Sequence, residues 1–81
     1  MYTTRLHLIV PELKLETLLS FANESGFYST GSYQAPGAAF IYIELSIVHL
    51  TRSEEALRID SDFMRELASS FPTVYYKLER T

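Results

Sequence analysis

Three stretches of this chain alternate apolar and polar side chains with period two, and two others carry apolar residues at helical spacing. Residues 2–10 form the first alternating stretch. Leu6, Leu8 and Val10 fall on one face and Arg5, His7 and Ile9 on the other, as in a strand. Pro11 ends that strand and suits the first position of a helix, where its missing N–H goes unused; Glu12 complements the helix dipole in the first turn. Over residues 11–25, Leu15, Leu18, Leu19 and Ala22 recur at i, i+3, i+4 and i+7, which predicts a helix with one apolar face, stopped by Gly26. A short second strand is expected at 27–30. Gly31, Pro36 and Gly37 then mark a loop, with Ser32, Tyr33 and Gln34 near its tip.

The clearest strand spans 38–48. Ala39, Ile41, Ile43, Leu45 and Ile47 share one face, and Phe40, Tyr42, Glu44 and Ser46 the other. Both faces are apolar in the middle, the mark of a central strand whose two sides are both covered or used. Thr51 followed by Glu54 fits a capping box, and a second helix is expected from there to about Ser70 on a stripe of Phe63, Met64, Leu67, Ala68 and Phe71. Extending that stripe backwards past Leu57 and Ala56 meets Asp60, a polar interruption. One helix is the preferred reading; a strand at 56–59, with Asp60 or Ser61 capping a shorter helix, stays open. Pro72 stops the helix, and 73–79 reads as the last strand. Val74, Tyr76 and Leu78 occupy one of its faces, and Thr73, Tyr75, Lys77 and Glu79 the other.

The order of elements is therefore β-α-β-β-α-β. In a chain of 81 residues it points to one α+β domain over residues 1–81, a ferredoxin-like sandwich: a four-stranded antiparallel sheet with two helices on one face. In that topology the first and third strands lie side by side in the centre, and they are the two most apolar strands here. If the helices cover Leu6, Leu8, Ile41, Ile43 and Val74, the opposite face is built from His7, Ile9, Phe40, Tyr42, Tyr75 and Lys77, with Arg5 nearby. A bare sheet face normally reads polar, so one carrying three aromatics and an isoleucine is expected to meet something. The candidates are a second copy of the chain, the 31–38 loop folded over it, a dedicated protein partner, stacked nucleic-acid bases, or a small molecule.

Charge and composition narrow that choice. Ten acidic and seven basic residues give a net charge of −3, scattered rather than grouped, which argues against tight binding to a phosphate backbone. The absence of cysteine excludes disulfides and thiolate metal sites, and fits a reducing compartment. No apolar run approaches the ~20 residues of a membrane span, and the first residues lack the apolar core of a signal peptide. A cytoplasmic location is expected.

Catalytic chemistry finds no candidate. The two histidines, His7 in mid-strand and His49 past the third strand, show no paired-ligand spacing; His7 reads as structural and His49 as a surface residue. Glu44 can approach His7 or Lys77 on the open face as a satisfied polar pair. The serines sit in no nucleophile elbow, and Gly31 with Pro36-Gly37 makes no phosphate-cradling loop. Neither a metal nor a cofactor is called for.

Two families share this order of elements. Thr30-Gly31 and Gly37-Ala38-Ala39-Phe40-Ile41-Tyr42-Ile43 resemble the third-strand motif of RNA-recognition motifs. His7 stands where the first-strand aromatic would be, and Ser53-Glu54-Glu55-Ala56 resembles the start of their second helix; Pro36 and Ala38 replace that motif's initial basic and first aromatic residues. Leu15 through Gly26 and Phe40-Ile41-Tyr42-Ile43-Glu44-Leu45 are similar to the first helix and third strand of ACT-type regulatory domains. Those domains bind amino acids beside a glycine in the first strand-to-helix turn, which here is Val10-Pro11-Glu12. The first resemblance implies a binder of single strands, the second a small-molecule sensor, and both imply the ferredoxin-like fold. The reading of the residues themselves is a non-enzymatic interaction or regulatory module, a small adaptor or inhibitor, that self-associates as a homodimer through its open face or meets a larger protein there.

Overall fold

A computed structural model describes residues 1–71 and 75–80. Its elements are β1 (Tyr2–Pro11), a 3-10 turn (Glu12–Lys14), α1 (Leu15–Glu24), β2 (Tyr28–Tyr33), β3 (Phe40–His49), α2 (Glu54–Ser70) and β4 (Tyr75–Arg80). The strands form one antiparallel sheet in the order β2-β3-β1-β4, so the two most apolar strands are central. This is the expected ferredoxin-like arrangement. Positions 72–74 and 81, among them Thr73 and Val74 of the expected last strand, lie outside the described residues.

Several boundaries differ from the expectation, each for a local reason. Pro11 does not open the first helix: at φ −58° and ψ 136° it is the last residue of β1, opposite Phe40. The Glu12 amide continues the ladder by donating to the Ala39 carbonyl at 2.9 Å, so the chain turns only afterwards and α1 starts at Leu15. β2 runs on to Tyr33 and takes in Ser32 and Tyr33, expected in the loop. A bulge between Ser29 and Gly31 absorbs an extra residue and lets Gly31, Ser32 and Tyr33 pair with Glu44, Ile43 and Tyr42. Pairing with β3 thus overrides the turn signal of Gly31.

The helix ends follow from cap chemistry. After α1 the Phe27 amide donates to Ala22 and the Gly26 amide to Asn23, a Schellman pair that needs a positive φ at Gly26, here 90°. α2 is one unbroken helix, which closes the alternative of a strand at 56–59. Its cap is Ser53, not Thr51: the Ala56 amide donates to Ser53 Oγ at 3.2 Å. Ser53→Ala is expected to cost about 1 kcal/mol, read as a lowered urea midpoint with an unchanged slope. An unchanged midpoint would show that the cap contributes nothing.

Both helices lie on one face of the sheet. Leu6, Leu8, Val10, Ile43 and Leu45 from the strands meet Leu18, Ala22, Phe63, Leu67 and Phe71. Phe63 stacks on Phe27, with ring centroids 4.2 Å apart, and on Phe21 at 4.9 Å, and so joins α2 to α1 and to the turn after it.

Candidate functional site

Among the described residues, the other face of the sheet carries no helix. Directly paired residues of an antiparallel sheet point the same way, so the register sets out this face in rows across the strands. One row holds Tyr33, Tyr42 and Ile9, with Tyr75 next in register. The next holds Gly31, Glu44, His7 and Lys77, and a third Tyr28, Ser46, Arg5 and Glu79. Phe40, opposite Pro11, lies beyond the first row.

Of the residues expected here, His7, Ile9, Phe40, Tyr42 and Lys77 are brought together on this face. Tyr75 pairs with Ile9 by its backbone, and its side chain lies outside the described part of the protein. The 31–38 loop does not cover the face, because Phe40, Tyr42 and Ile9 remain 54%, 40% and 44% exposed. The helices' side of β1 and β3 contrasts sharply: there Leu6, Leu8, Ile43 and Leu45 are at most 1% exposed.

The sequence reading missed the extent of this surface. Tyr28 and Tyr33 join it from β2, at 49% and 66% exposure. At about 150–250 Å² for a full aromatic side chain, Tyr28, Tyr33, Phe40 and Tyr42 expose on the order of 400 Å² of aromatic surface. That is within the roughly 300–600 Å² of the largest apolar patch on a typical single chain, a patch that is often functional. Tyr33 was hidden because Gly31 made its segment read as loop; Tyr28 lay in the strand expected at 27–30, and its place on this face follows from its pairing with Ser46.

Below the aromatic row the face is polar and charged. Tyr42 and His7 share a hydrogen bond between the phenol oxygen and Nδ1, 2.6 Å, with their rings 6.1 Å apart and nearly parallel. Arg5 lies 3.8 Å from Glu44 and 3.7 Å from Glu79, and His7 Nε2 is 3.9 Å from Glu79. These half-exposed contacts are long, and each contributes little to stability. They hold the charges in a lattice of alternating sign.

A second polar cluster lies inside, on the helices' side. Asp60 of α2 is 1% exposed and accepts from Thr4 Oγ1 at 2.7 Å and from His49 Nε2 at 2.9 Å, with Arg80 Nε at 3.7 Å. The expectation that His49 is a surface residue is therefore corrected: it is buried, paired with Asp60 and packed on the Tyr2 ring at 5.1 Å. His49 continues the inward alternation of Ile43, Leu45 and Ile47, and Asp60 falls on the helical stripe of Ala56, Phe63 and Leu67. Those two spacings were the signal. His49 alone looked solvent-facing and Asp60 a polar break in the apolar stripe; their juxtaposition offsets the cost of burying either.

Among the described residues no group of three or more His, Cys, Asp or Glu side chains is placed to hold a metal ion. No described helix is long and apolar enough to cross a membrane. A depression of about 530 Å³ beside Glu12 and the 34–39 loop is lined by Gln34, Pro36 and Gly37, and presents no array of catalytic groups.

No protein-family model matches the sequence, and neither does any curated protein. Solved structures do. A de novo designed protein, Foldit4, superposes with a TM-score of 0.72 at 12% identity, over 99% of this chain and 94% of its own. A PII-like signalling protein from Thermus thermophilus follows at a TM-score of 0.66 and 17% identity, over 100% and 87%. The formyltetrahydrofolate deformylase of Pseudomonas putida matches at 0.59 and 18% identity; 94% of this chain aligns with only 28% of that enzyme. What they share with this chain is the fold. The fold is ferredoxin-like and resembles that of PII-like regulatory proteins. The same backbone serves a designed protein, a signalling protein and part of an enzyme, so function has to be argued from the surface of this chain.

Proposed function

We propose that this chain is a non-enzymatic interaction or regulatory module, cytoplasmic, that works by associating through its open sheet face, first with a second copy of itself. The observation that carries this reading is the aromatic row. Ile9, Tyr42 and Phe40 stay exposed on the two central strands, whose other side is closed, and Tyr33 and Tyr28 stand exposed beside them on β2. Leaving that much apolar surface in water forgoes roughly 25 cal/mol for each Å², and a second sheet recovers it. The likeness to a PII-like signalling protein supports a regulatory role for such a module. A larger protein seated on the same face is the companion reading, in which the chain acts as a small adaptor or inhibitor.

Light scattering at increasing concentration tests this. The wild-type chain is expected to run at the mass of a dimer, and Phe40→Ala with Tyr42→Ala at that of a monomer with an unchanged circular dichroism spectrum. A wild-type monomer at high concentration would remove self-association. Salt-sensitive binding of an oligonucleotide, lost in the same double variant at unchanged mass, would put base stacking in its place.

A further inference from the structure

Resting on the reading just given, the pattern on the open face also selects how two copies meet. We infer that the two sheets pack face to face about a two-fold axis that runs parallel to the strands, between β1 and β3. Such an axis sets each row opposite the same row of the second copy and exchanges the columns: β3 faces β1, and β2 faces β4. Packed sheets keep their strands within about 30° of each other, so the rows stay close to register.

This arrangement matches chemistry at the positions the register defines. Tyr42 meets Ile9 of the second copy, so the aromatic row is buried against an apolar one. Glu44 meets His7. Lys77 meets Gly31, the one residue of its row without a side chain, and Glu44 stands next to Gly31 on the neighbouring strand. A Cβ at Gly31 would meet only Glu44 Oε2, at 3.9 Å, so the place is open for the lysine. Exposed aromatics, Ile9, Lys77 and the half-exposed charges together offer on the order of 800 Å², the share per partner of a standard interface.

The other two-fold that keeps the sheets face to face runs across the strands. With its axis through the middle row it puts Glu44 against Glu44, Lys77 against Lys77 and His7 against His7. It also sets Tyr42 over Ser46 and Ile9 over Arg5. Like charges directly opposed cost several kcal/mol in an interface, and the aromatic row would face a polar one. The charge pattern therefore excludes this arrangement and favours the first.

The natural absence of cysteine makes the test clean, since a single introduced thiol is the only one in the chain. Gly31→Cys and Lys77→Cys are prepared separately, and their dimer mass is checked by light scattering. Each is then treated with a bismaleimide of about 10 Å reach, alone and after mixing, because packed sheets lie about 10 Å apart and thiols on them are too distant for direct disulfide bonding. Within one copy β2 and β4 are the two outer strands of the sheet, and neither variant can cross-link to itself internally. The expected result is a covalent dimer from the mixture and none from either variant alone. Covalent dimer from each variant alone would overturn the proposed axis in favour of the one across the strands. Dimeric mass with no cross-linking in any sample would overturn face-to-face packing while leaving self-association standing. Monomeric mass throughout would overturn both.

Discussion

Replacing Asp60 by alanine is expected to destabilise the fold by about 2–6 kcal/mol, because two buried hydrogen-bond donors lose their acceptor at roughly 1–3 kcal/mol each. A chain of this length has on the order of 4–12 kcal/mol in total, so the variant sits near its unfolding threshold at room temperature. The reason lies in what surrounds the carboxylate. Asp60 is 1% exposed, and its two oxygens take hydrogen bonds from Thr4 on β1 and His49 on β3, with Arg80 of β4 nearby. Truncation leaves a buried hydroxyl and a buried imidazole without their acceptor, and opens a void between α2 and three strands. Thr4→Val, which keeps the volume and leaves Asp60 bonded to His49, is expected to cost markedly less. Urea unfolding followed by circular dichroism measures both. If Asp60→Ala unfolds within about 1 kcal/mol of the wild type, ordinary for a surface substitution, the cluster does not anchor α2.

Phe63→Ala is expected to cost a similar amount, about 3–5 kcal/mol, through the loss of a large apolar side chain and the cavity left behind. Phe63 is 2% exposed and lies against two rings, Phe27 at 4.2 Å and Phe21 at 4.9 Å. Stacked aromatic pairs add roughly 0.5–1.5 kcal/mol each beyond buried area. The melting temperature is expected to fall by at least about 12 °C, since each kcal/mol moves a domain of this size by roughly 4–8 °C. Phe63→Leu, which refills part of the space, is expected to recover a good part of that loss. A fall of only a few degrees for Phe63→Ala would mean that the neighbouring rings close over the gap and that this contact does not hold α1 to α2.

The fold was legible wherever periodicity and burial agree. The alternation of Leu6, Leu8 and Val10 and of Ile41, Ile43 and Leu45 identified both the central strands and the side the helices take. That alternation also predicted which residues stay outside, and His7, Ile9, Phe40 and Tyr42 are found there. Reading failed where one residue type carries two meanings. Gly31 signals a turn, yet here it is paired in β2 beside a bulge; Asp60 signals a helix boundary, yet it lies buried in the middle of α2. Pro11 suits the start of a helix and equally the last position of a strand, and the bond from the Glu12 amide to Ala39 decides between them.

The aromatic sheet face is thus partly a property of the residue order and partly of the fold. Residue order alone places Phe40, Tyr42, Ile9 and His7 on a side opposite the core, because side-chain direction along a strand has a period of two and leaves no choice. It also makes this side too apolar for a bare surface. The assembled sheet was needed to bring in Tyr28 and Tyr33, to order the charged rows of Arg5, Glu44 and Glu79, and to turn His49 inward to Asp60. Those facts depend on register and on contacts between residues far apart in the chain. A period of two fixes direction along one strand, whereas the residue standing beside it on the next strand is set by the pairing of the whole sheet.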